Sequence, residues 1–362
     1  MNDEAAMTLA LAQAVRGLGR THPNPAVGAV LVKAGRVIAT GYHAKLGGPH
    51  AEAVALLNAG SKAKGATLYS TLEPCNHHGR TPPCSEAIIA AGVKKVVYAS
   101  SDPNPIVNGK GVRRLRAAGV EVVPHVLREA ADSINLPFLK AMRTGLPWVT
   151  AKAAITLDGK LATSTGASKW ISSDASRLVA HQLRDVADVV IVGSSTVIAD
   201  DPQLTVRLGK KGTRNPIRMV LDPALRTDPR AKIYDTKQAR TILVTLEAEG
   251  SPRAQSFARR GVEVWTLAGS KGRIKLERLL ERLVKEGALH VLVEGGSIVH
   301  QSFLEAGLVD ELVLFVAPKL FGHSGVTWSG ALGIEDPAKA LQFDAIDAIR
   351  VGPDLMVTAR RK

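Results

Sequence analysis

The chain has only two cysteines, Cys75 and Cys84, and each follows a proline. Upstream, His50 and Glu52 belong to the triplet His-Ala-Glu, which opens AEAVALLNAG, a stretch with helical patterning closed by Gly60. One imidazole and two thiolates make three protein ligands for a tetrahedral Zn²⁺ whose fourth position stays open for water. Zinc held in this way lowers the pKa of that water towards ~7 and makes hydroxide available at neutral pH. Glu52, two residues from the imidazole, can take the proton of the water and deliver it to a ring nitrogen and to a departing amine. The order, H-x-E and then P-C, is that of the zinc nucleobase deaminases. One feature departs from that pattern: the cysteines lie nine positions apart instead of in C-x-x-C, separated by NHHGRTPP. His77 and His78 in this insert suit substrate contact or loop solvation better than further ligation. Taken singly, the cysteines could be two small buried apolar residues. The coincidence of H-x-E, two P-C units and a helix start favours zinc.

A second set of residues could hold phosphate. In VVIVGSSTVIAD an apolar strand ends in Gly193-Ser194-Ser195-Thr196, and in VLVEGGSIVHQSFL another ends in Gly295-Gly296-Ser297 and opens a helix. Small residues let a ligand approach the backbone, and helix N-terminal amides with hydroxyls bind anions. Both turns fall at strand C-terminal ends, where ligands of α/β sheets sit, although G-x-G-x-x-G is missing.

These residues must be positioned by two cores. At 362 residues, 45% hydrophobic and 22% charged, the chain is long enough for two domains. From Pro25 to about Val126, strand-like runs (AVGAVLV, GRVIATGYH, ATLYSTL, KKVVYAS, VEVVPHVL) alternate with helical ones (SEAIIAAG, VRRLRAAG), which predicts a layered α/β domain. LPFLKAMRTGLPW carries two prolines and a glycine and reads as a boundary near Gly145, giving domains of 1–145 and 146–362. Apolar runs at VTAKAAITLDG, VADVVIVG, IRMVLD, TILVTL, LHVLVEGG and ELVLFVAPKL, with helices such as DASRLVAHQLRD between several of them, predict a second α/β domain with a largely parallel sheet. The first twenty residues read as an amphipathic helix (Leu9, Ala12, Val15) with an acidic start, unlike a secretion signal. There is no unbroken apolar run long enough for a bilayer, so a cytoplasmic protein without membrane contact is expected. The net charge of +14 raises the question of nucleic acid, but Lys and Arg are spread along the chain, as suits a protein handling phosphorylated small molecules.

HPNPAVGAVLV, GGPHAEAVAL, TLEPCNHHGRTPPC and DPNP together resemble the bifunctional riboflavin-pathway deaminase/reductase family, which the long insert between the cysteines sets apart from cytidine and tRNA deaminases. KAAITLDGKLA, SKWIS, the Arg184 region and DDPQLTVR resemble its reductase half. The resemblance implies a cytidine-deaminase-like three-layer domain followed by a dihydrofolate-reductase-like one. It also implies Zn²⁺ and NADPH as cofactors, a phosphoribosylated pyrimidine as substrate, and a homo-oligomer. Asn24, His43, Arg80, Asp102 and Asn104 would line the deaminase pocket. NADPH would meet Ala154, Trp170, Thr196, Asp200 and the turn Gly296, Ser297, Ile298, Val299, His300, Gln301 and Ser302. The reductase substrate would meet Lys152, Ser168, Arg184, Leu204, Arg207 and Glu294. Arg184 and Arg207 suit a bidentate clamp on the ribose phosphate. Lys152, Asp200 and Glu294 are all candidate proton donors, and the residue reading the 2′-phosphate of NADPH is not visible.

Two other readings compete. A deaminase of cytidine, or of adenosine in tRNA, would use the same four residues, but the cysteine spacing and a complete second domain oppose it, and nucleic-acid binding would fall steeply with salt. A zinc-stabilised binding protein without catalysis would need four protein ligands where three are placed.

Overall fold

Small side chains decide how the first half of the chain packs. The computed structural model describes residues 1–76, 82–104, 107, 109–270 and 272–361, and the chain divides into two compact units, residues 1–145 and 146–362. The first unit comprises α1 (Asp3–Val15), β1 (Gly28–Lys33), β2 (Arg36–Tyr42), α2 (Ala51–Ala59), β3 (Thr67–Leu72), α3 (Cys84–Ala90), β4 (Lys95–Ser100), α4 (Lys110–Ala117), β5 (Glu121–Val123), α5 (Arg128–Ile134) and α6 (Leu136–Thr144). Its sheet runs β2-β1-β3-β4-β5, antiparallel at β1 and parallel from β3 onward. Alternate residues of β1 face opposite ways. Ala29 and Leu31 join the core under α2, α3 and α4, while Val30 and Val32 join the core under α1 and α5. That makes three layers. Glycines set the closest approaches: a Cβ on Gly28 would lie 2.0 Å from Ala10 O of α1, and one on Gly41 2.3 Å from Ala51 O of α2. The face of α1 that packs is therefore Ala6, Met7, Ala10 and Ala14, and the stripe expected from Leu9 and Val15 is exposed. The strand expected from VEVVPHVL stops at Val123. LPFLKAMRT is helical, with Pro137 in the first turn, where a missing N–H costs nothing, and Gly145 closing the helix in the left-handed region (φ 71°).

The second unit comprises β6 (Trp148–Thr156), β7 (Lys160–Ala162), α7 (Asp174–Val186), β8 (Val189–Gly193), α8 (Ser194–Asp200), β9 (Ile217–Leu221), β10 (Thr241–Thr245), α9 (Pro252–Ala258), β11 (Glu263–Thr266), β12 (Gly269–Ser270), β13 (Arg273–Ile274), α10 (Leu276–Lys285), β14 (His290–Val293), α11 (Ser297–Glu305), β15 (Glu311–Ala317), β16 (Val326–Thr327), β17 (Ala345–Val351) and β18 (Asp354–Arg360). Nine strands form one sheet in the order β11-β10-β9-β8-β14-β6-β15-β18-β17. It is parallel as far as β15 and antiparallel through the last two strands. α10 and α11 bury leucines and Phe303 on one face, and α9 buries Ala254 and Phe257 on the other. Because β6, β8, β9 and β14 run in the same direction, their C-terminal ends and the turns that follow share one rim. Among the described residues no helix is long and apolar enough to cross a membrane.

Candidate active sites

His50 caps the N-terminus of α2 in extended backbone (φ −70°, ψ 158°), and Glu52 sits in the first turn of that helix. Cys75 follows β3, and Cys84 is the first residue of α3. The three donor atoms lie within 4.8 Å of one another. His50 Nδ1 is 3.2 Å from Cys84 Sγ and 3.6 Å from Cys75 Sγ. Tetrahedral bonds to Zn²⁺ would place a nitrogen and a sulfur ligand about 3.5 Å apart, so the set fits zinc in both donor type and spacing. The Cys84 amide also donates to Cys75 Sγ (3.5 Å), as a thiolate at a helix start requires. The Cys84 thiol, opposite Cys75, and the His50 ring together pull the Cys75 thiol well below its usual range. The reciprocal contact and burial push Cys84 up. Glu52 is buried, which raises its carboxyl, and Ser70 Oγ donates to it at 3.4 Å.

The His43 ring meets His50 edge-on, with centroids 5.6 Å apart. Asn24 Nδ2 lies 3.3 Å from His43 Nε2, and His43 Nδ1 lies 3.0 Å from Pro49 O. Burial lowers His43, so it is neutral. Asp102 and Asn104 share a turn after β4, with Asp102 Oδ1 accepting from the Asn104 amide (2.9 Å). Pairing of the strand ends puts this turn beside the segment bearing Cys75, where the Glu73 amide donates to Ser100 O (2.9 Å). His77, His78 and Arg80 lie outside the described residues.

Gly111 couples α4 to the metal ligands, since a Cβ there would lie 1.8 Å from Pro74 O. Gly111→Ala is expected to push the Pro74-Cys75 segment out of place and to destabilise the first unit by about 2–3 kcal/mol. Zinc retained after dialysis against a chelator checks this; unchanged retention would show that α4 does not brace the ligands.

At the C-terminal rim of the second sheet lies a cleft of about 1630 Å³, above the range of about 300–1,000 Å³ usual for one small ligand. Lys152 and Ala154 of β6, Thr196 and Asp200 of α8, and most of the turn 296–302 line it. Thr196 Oγ1 accepts from the Gly296 amide (2.9 Å) and ties the two glycine-bearing turns together. Glu294 follows β14 and lines the cleft with its side chain only 6% exposed. Arg184 of α7 grips it through Nε (2.5 Å) and Nη2 (2.9 Å), and Lys152 Nζ approaches to 3.3 Å. Burial alone would raise Glu294, but Arg184 and Lys152 outweigh it and hold the carboxyl at about 2. Glu294 is thus an anion and not a proton donor. The fork of Arg184, expected to clamp phosphate, is engaged by this carboxylate instead. Arg207 is exposed, with Nη1 donating to Thr205 Oγ1 (2.9 Å).

Trp170 is 64% exposed, which excludes a core role. Its ring carries the Arg177 guanidinium at 4.4 Å, and Lys319 Nζ donates to its carbonyl (2.6 Å). Ser168 Oγ and Lys169 Nζ approach Asp200 Oδ1 at 3.3 and 3.6 Å. Leu204 is buried at the cleft wall with φ 51°. Within the turn 296–302, Gln301 does not line the cleft and donates to Glu305 (2.6 Å) and to Ala331 O (2.7 Å). His300 is buried against Val293 O and Trp328. His181, three residues before Arg184 on the same helical face, also lines the cleft, and its Nδ1 accepts from the Arg207 amide (3.3 Å). Burial, with Arg184 and Arg207 nearby, lowers His181 to about 4. The spacing H-x-x-R in HQLRD was the signal for it.

A zinc-ligand set on a three-layer sheet, joined in one chain to a dihydrofolate-reductase-like unit with a large cleft, defines a deaminase fused to a nucleotide-dependent reductase. Comparison with known proteins agrees. Residues 1–100 match the cytidine and deoxycytidylate deaminase zinc-binding region, and residues 147–357 match the RibD C-terminal domain. The chain is 46% identical over 359 residues to the riboflavin biosynthesis protein RibD of Aquifex aeolicus, covering 99% of this chain and 98% of that one. It is 44% identical to that of Bacillus amyloliquefaciens, covering 99% and 96%. Among solved structures, Acinetobacter baumannii RibD superposes with a TM-score of 0.89 at 40% identity, covering 99% and 98%. A Thermotoga maritima protein described as a diaminohydroxyphosphoribosylaminopyrimidine deaminase and 5-amino-6-(5-phosphoribosylamino)uracil reductase gives 0.87 at 39%, covering 99% and 98%. The chain belongs to the RibD family. It is a bifunctional enzyme of riboflavin biosynthesis, with a zinc deaminase and an NADPH-dependent reductase.

Proposed function

We propose that residues 1–145 hydrolyse the 2-amino group from 2,5-diamino-6-(5-phosphoribosylamino)pyrimidin-4-one, and that residues 146–362 then reduce the ribosyl side chain to give 5-amino-6-(5-phosphoribitylamino)uracil. The observation that carries this reading is the convergence of His50, Cys75 and Cys84 beside the buried Glu52. Zinc held there supplies Lewis acidity, which brings water to a reactive pKa of about 7. Glu52 takes one proton from the attacking water as the C–O bond forms and delivers it to a ring nitrogen, then carries the remaining hydroxyl proton to the amine, which leaves as ammonia as the C–N bond breaks. Asn24, braced by neutral His43, offers a donor and an acceptor to the edge of the base. Arg80, Asp102 and Asn104 complete the substrate contacts.

In the cleft, NADPH supplies the hydride to C1′ of the sugar. Ala154, Trp170, Thr196, Asp200 and the turn from Gly296 to Ser302 would hold the cofactor. The C1′–O4′ bond breaks and O4′ takes a proton. Glu294 is ionised, and Lys152, an ammonium held against it at 3.3 Å and lining the cleft, supports the reading of Lys152 as the proton source. Ser168, Leu204 and Arg207 contact the substrate, with Arg207 on its phosphate and Arg184 orienting Glu294. Two free thiols support a reducing, cytoplasmic setting. Ile346 and Leu355, exposed and placed by the strand register on the same face of the last two strands, support a self-associating face and a homo-oligomer.

The test feeds the purified chain the diaminopyrimidine phosphate and follows ammonia, then NADPH absorbance. One ammonia is expected per substrate, followed by one NADPH consumed; a chelator should abolish both with this substrate and leave NADPH oxidation intact when the deaminated product is supplied. NADPH oxidation without prior ammonia release would overturn the order.

A further inference from the structure

Arg226 stands in the cleft wall just beyond β9, and its Nη2 donates to Ser194 Oγ at 2.9 Å and reaches Ser195 Oγ at 3.4 Å. Among the described residues no carboxylate pairs with it. The acid at the same turn, Asp222, is fully buried and spent on other donors: the Arg226 amide (2.9 Å), the Thr227 amide (2.8 Å) and the Thr227 hydroxyl (2.8 Å). Asp222 therefore locks the turn and leaves the Arg226 guanidinium facing two neutral hydroxyls and the cleft. Lys275 lines the same cleft, also without an acidic partner among the described residues. A guanidinium has five donors in a rigid fork, and two hydroxyls satisfy neither its charge nor its geometry. A phosphate dianion would satisfy both. Nucleotide-binding turns follow the same logic, in which a presented carboxylate selects a ribose 2′-hydroxyl and an arginine accommodates a 2′-phosphate. Here the carboxylate is turned inward and the arginine is turned out. Ser194 and Ser195 also precede Thr196, which is tied to the Gly296 turn, so the anion seat is continuous with the dinucleotide surface.

We propose that Arg226, with the hydroxyls of Ser194 and Ser195, grips the 2′-phosphate of NADPH and sets the preference for NADPH over NADH. The proposal rests on the reading of this cleft as the NADPH site. Titration calorimetry of the full chain with NADPH, NADH, 2′,5′-ADP and 5′-AMP tests it without relying on turnover. The unaltered chain is expected to bind each 2′-phosphorylated ligand more tightly than its counterpart. Arg226→Gln should weaken NADPH and 2′,5′-ADP about 30-fold, the loss of one or two charge-assisted hydrogen bonds, and leave NADH and 5′-AMP unchanged. Arg226→Lys should recover part of the loss, and Ser195→Asp, which gives Arg226 an acidic partner, should shift preference to NADH. Unchanged thermal melting and ammonia release would show that each variant is folded. An unaltered chain that prefers NADPH, together with an Arg226→Gln variant that keeps the same preference, would overturn the seat alone. Failure of the unaltered chain to bind either dinucleotide would overturn the NADPH reading and the seat with it.

Discussion

Glu52→Gln is expected to slow ammonia release by about 1,000-fold while the protein keeps its zinc and still oxidises NADPH when given the deaminated substrate. The size follows from what a positioned acid–base group contributes, about 10²–10⁴. The selectivity follows from position. The ligands are His50, Cys75 and Cys84, and the amide of glutamine fills the same buried space in the first turn of α2 without being able to exchange a proton. Metal content by absorption spectroscopy and ammonia by a coupled assay give the two readouts. A variant that retains full deamination would show that the proton travels by another route; one that loses its zinc would show that Glu52 holds the site together.

The second large effect belongs to Glu294. Glu294→Gln leaves Arg184 and Lys152 facing each other across a buried amide, and removing one member of a buried charge cluster costs about 3–5 kcal/mol. Reductase kcat/KM should fall at least about 100-fold, with ammonia release untouched. The same carboxylate carries a pH signature. Its folded value of about 2 lies below the ordinary 4.5, so its contribution of about 3 kcal/mol is fully present above about pH 4.5 and is lost as pH falls towards 2. All four tryptophans, Trp148, Trp170, Trp265 and Trp328, lie in residues 146–362, so their fluorescence reports this unit alone. Acid unfolding followed in this way should show the loss in the unaltered chain and a flatter profile in Glu294→Gln. Identical profiles would mean that the cluster contributes nothing to stability.

Much of this was legible in the residues. Continuous apolar runs placed six of the nine strands of the second sheet, because a strand buried on both faces permits little else, while β11 and the antiparallel β17 and β18 carry no such run. H-x-E with two P-C units named a metal set that the fold then gathers to within 4.8 Å. Punctuation misled where context reversed its meaning. Pro137 and Gly145 read as breakers yet are the start and cap of α6. Partnerships across long separations were invisible. Arg184 looked like a free phosphate clamp because Glu294, 110 residues away, gives no local sign of closing on it. Arg226 went unnoticed for the same reason: only folding brings it to Ser194 and turns Asp222 away.

The hold on α7, the helix that presents His181 and Arg184, comes from late in the chain. Asp354, in the final strand, accepts from the Ser173 amide and hydroxyl (both 2.8 Å) and from Ser176 Oγ (2.5 Å) at the start of that helix. During translation, then, the deaminase half has all of its own residues long before the reductase helix meets its anchor. A ribosome stalled short of residue 354 would carry a chain equipped for the first reaction but with the second workplace still loose.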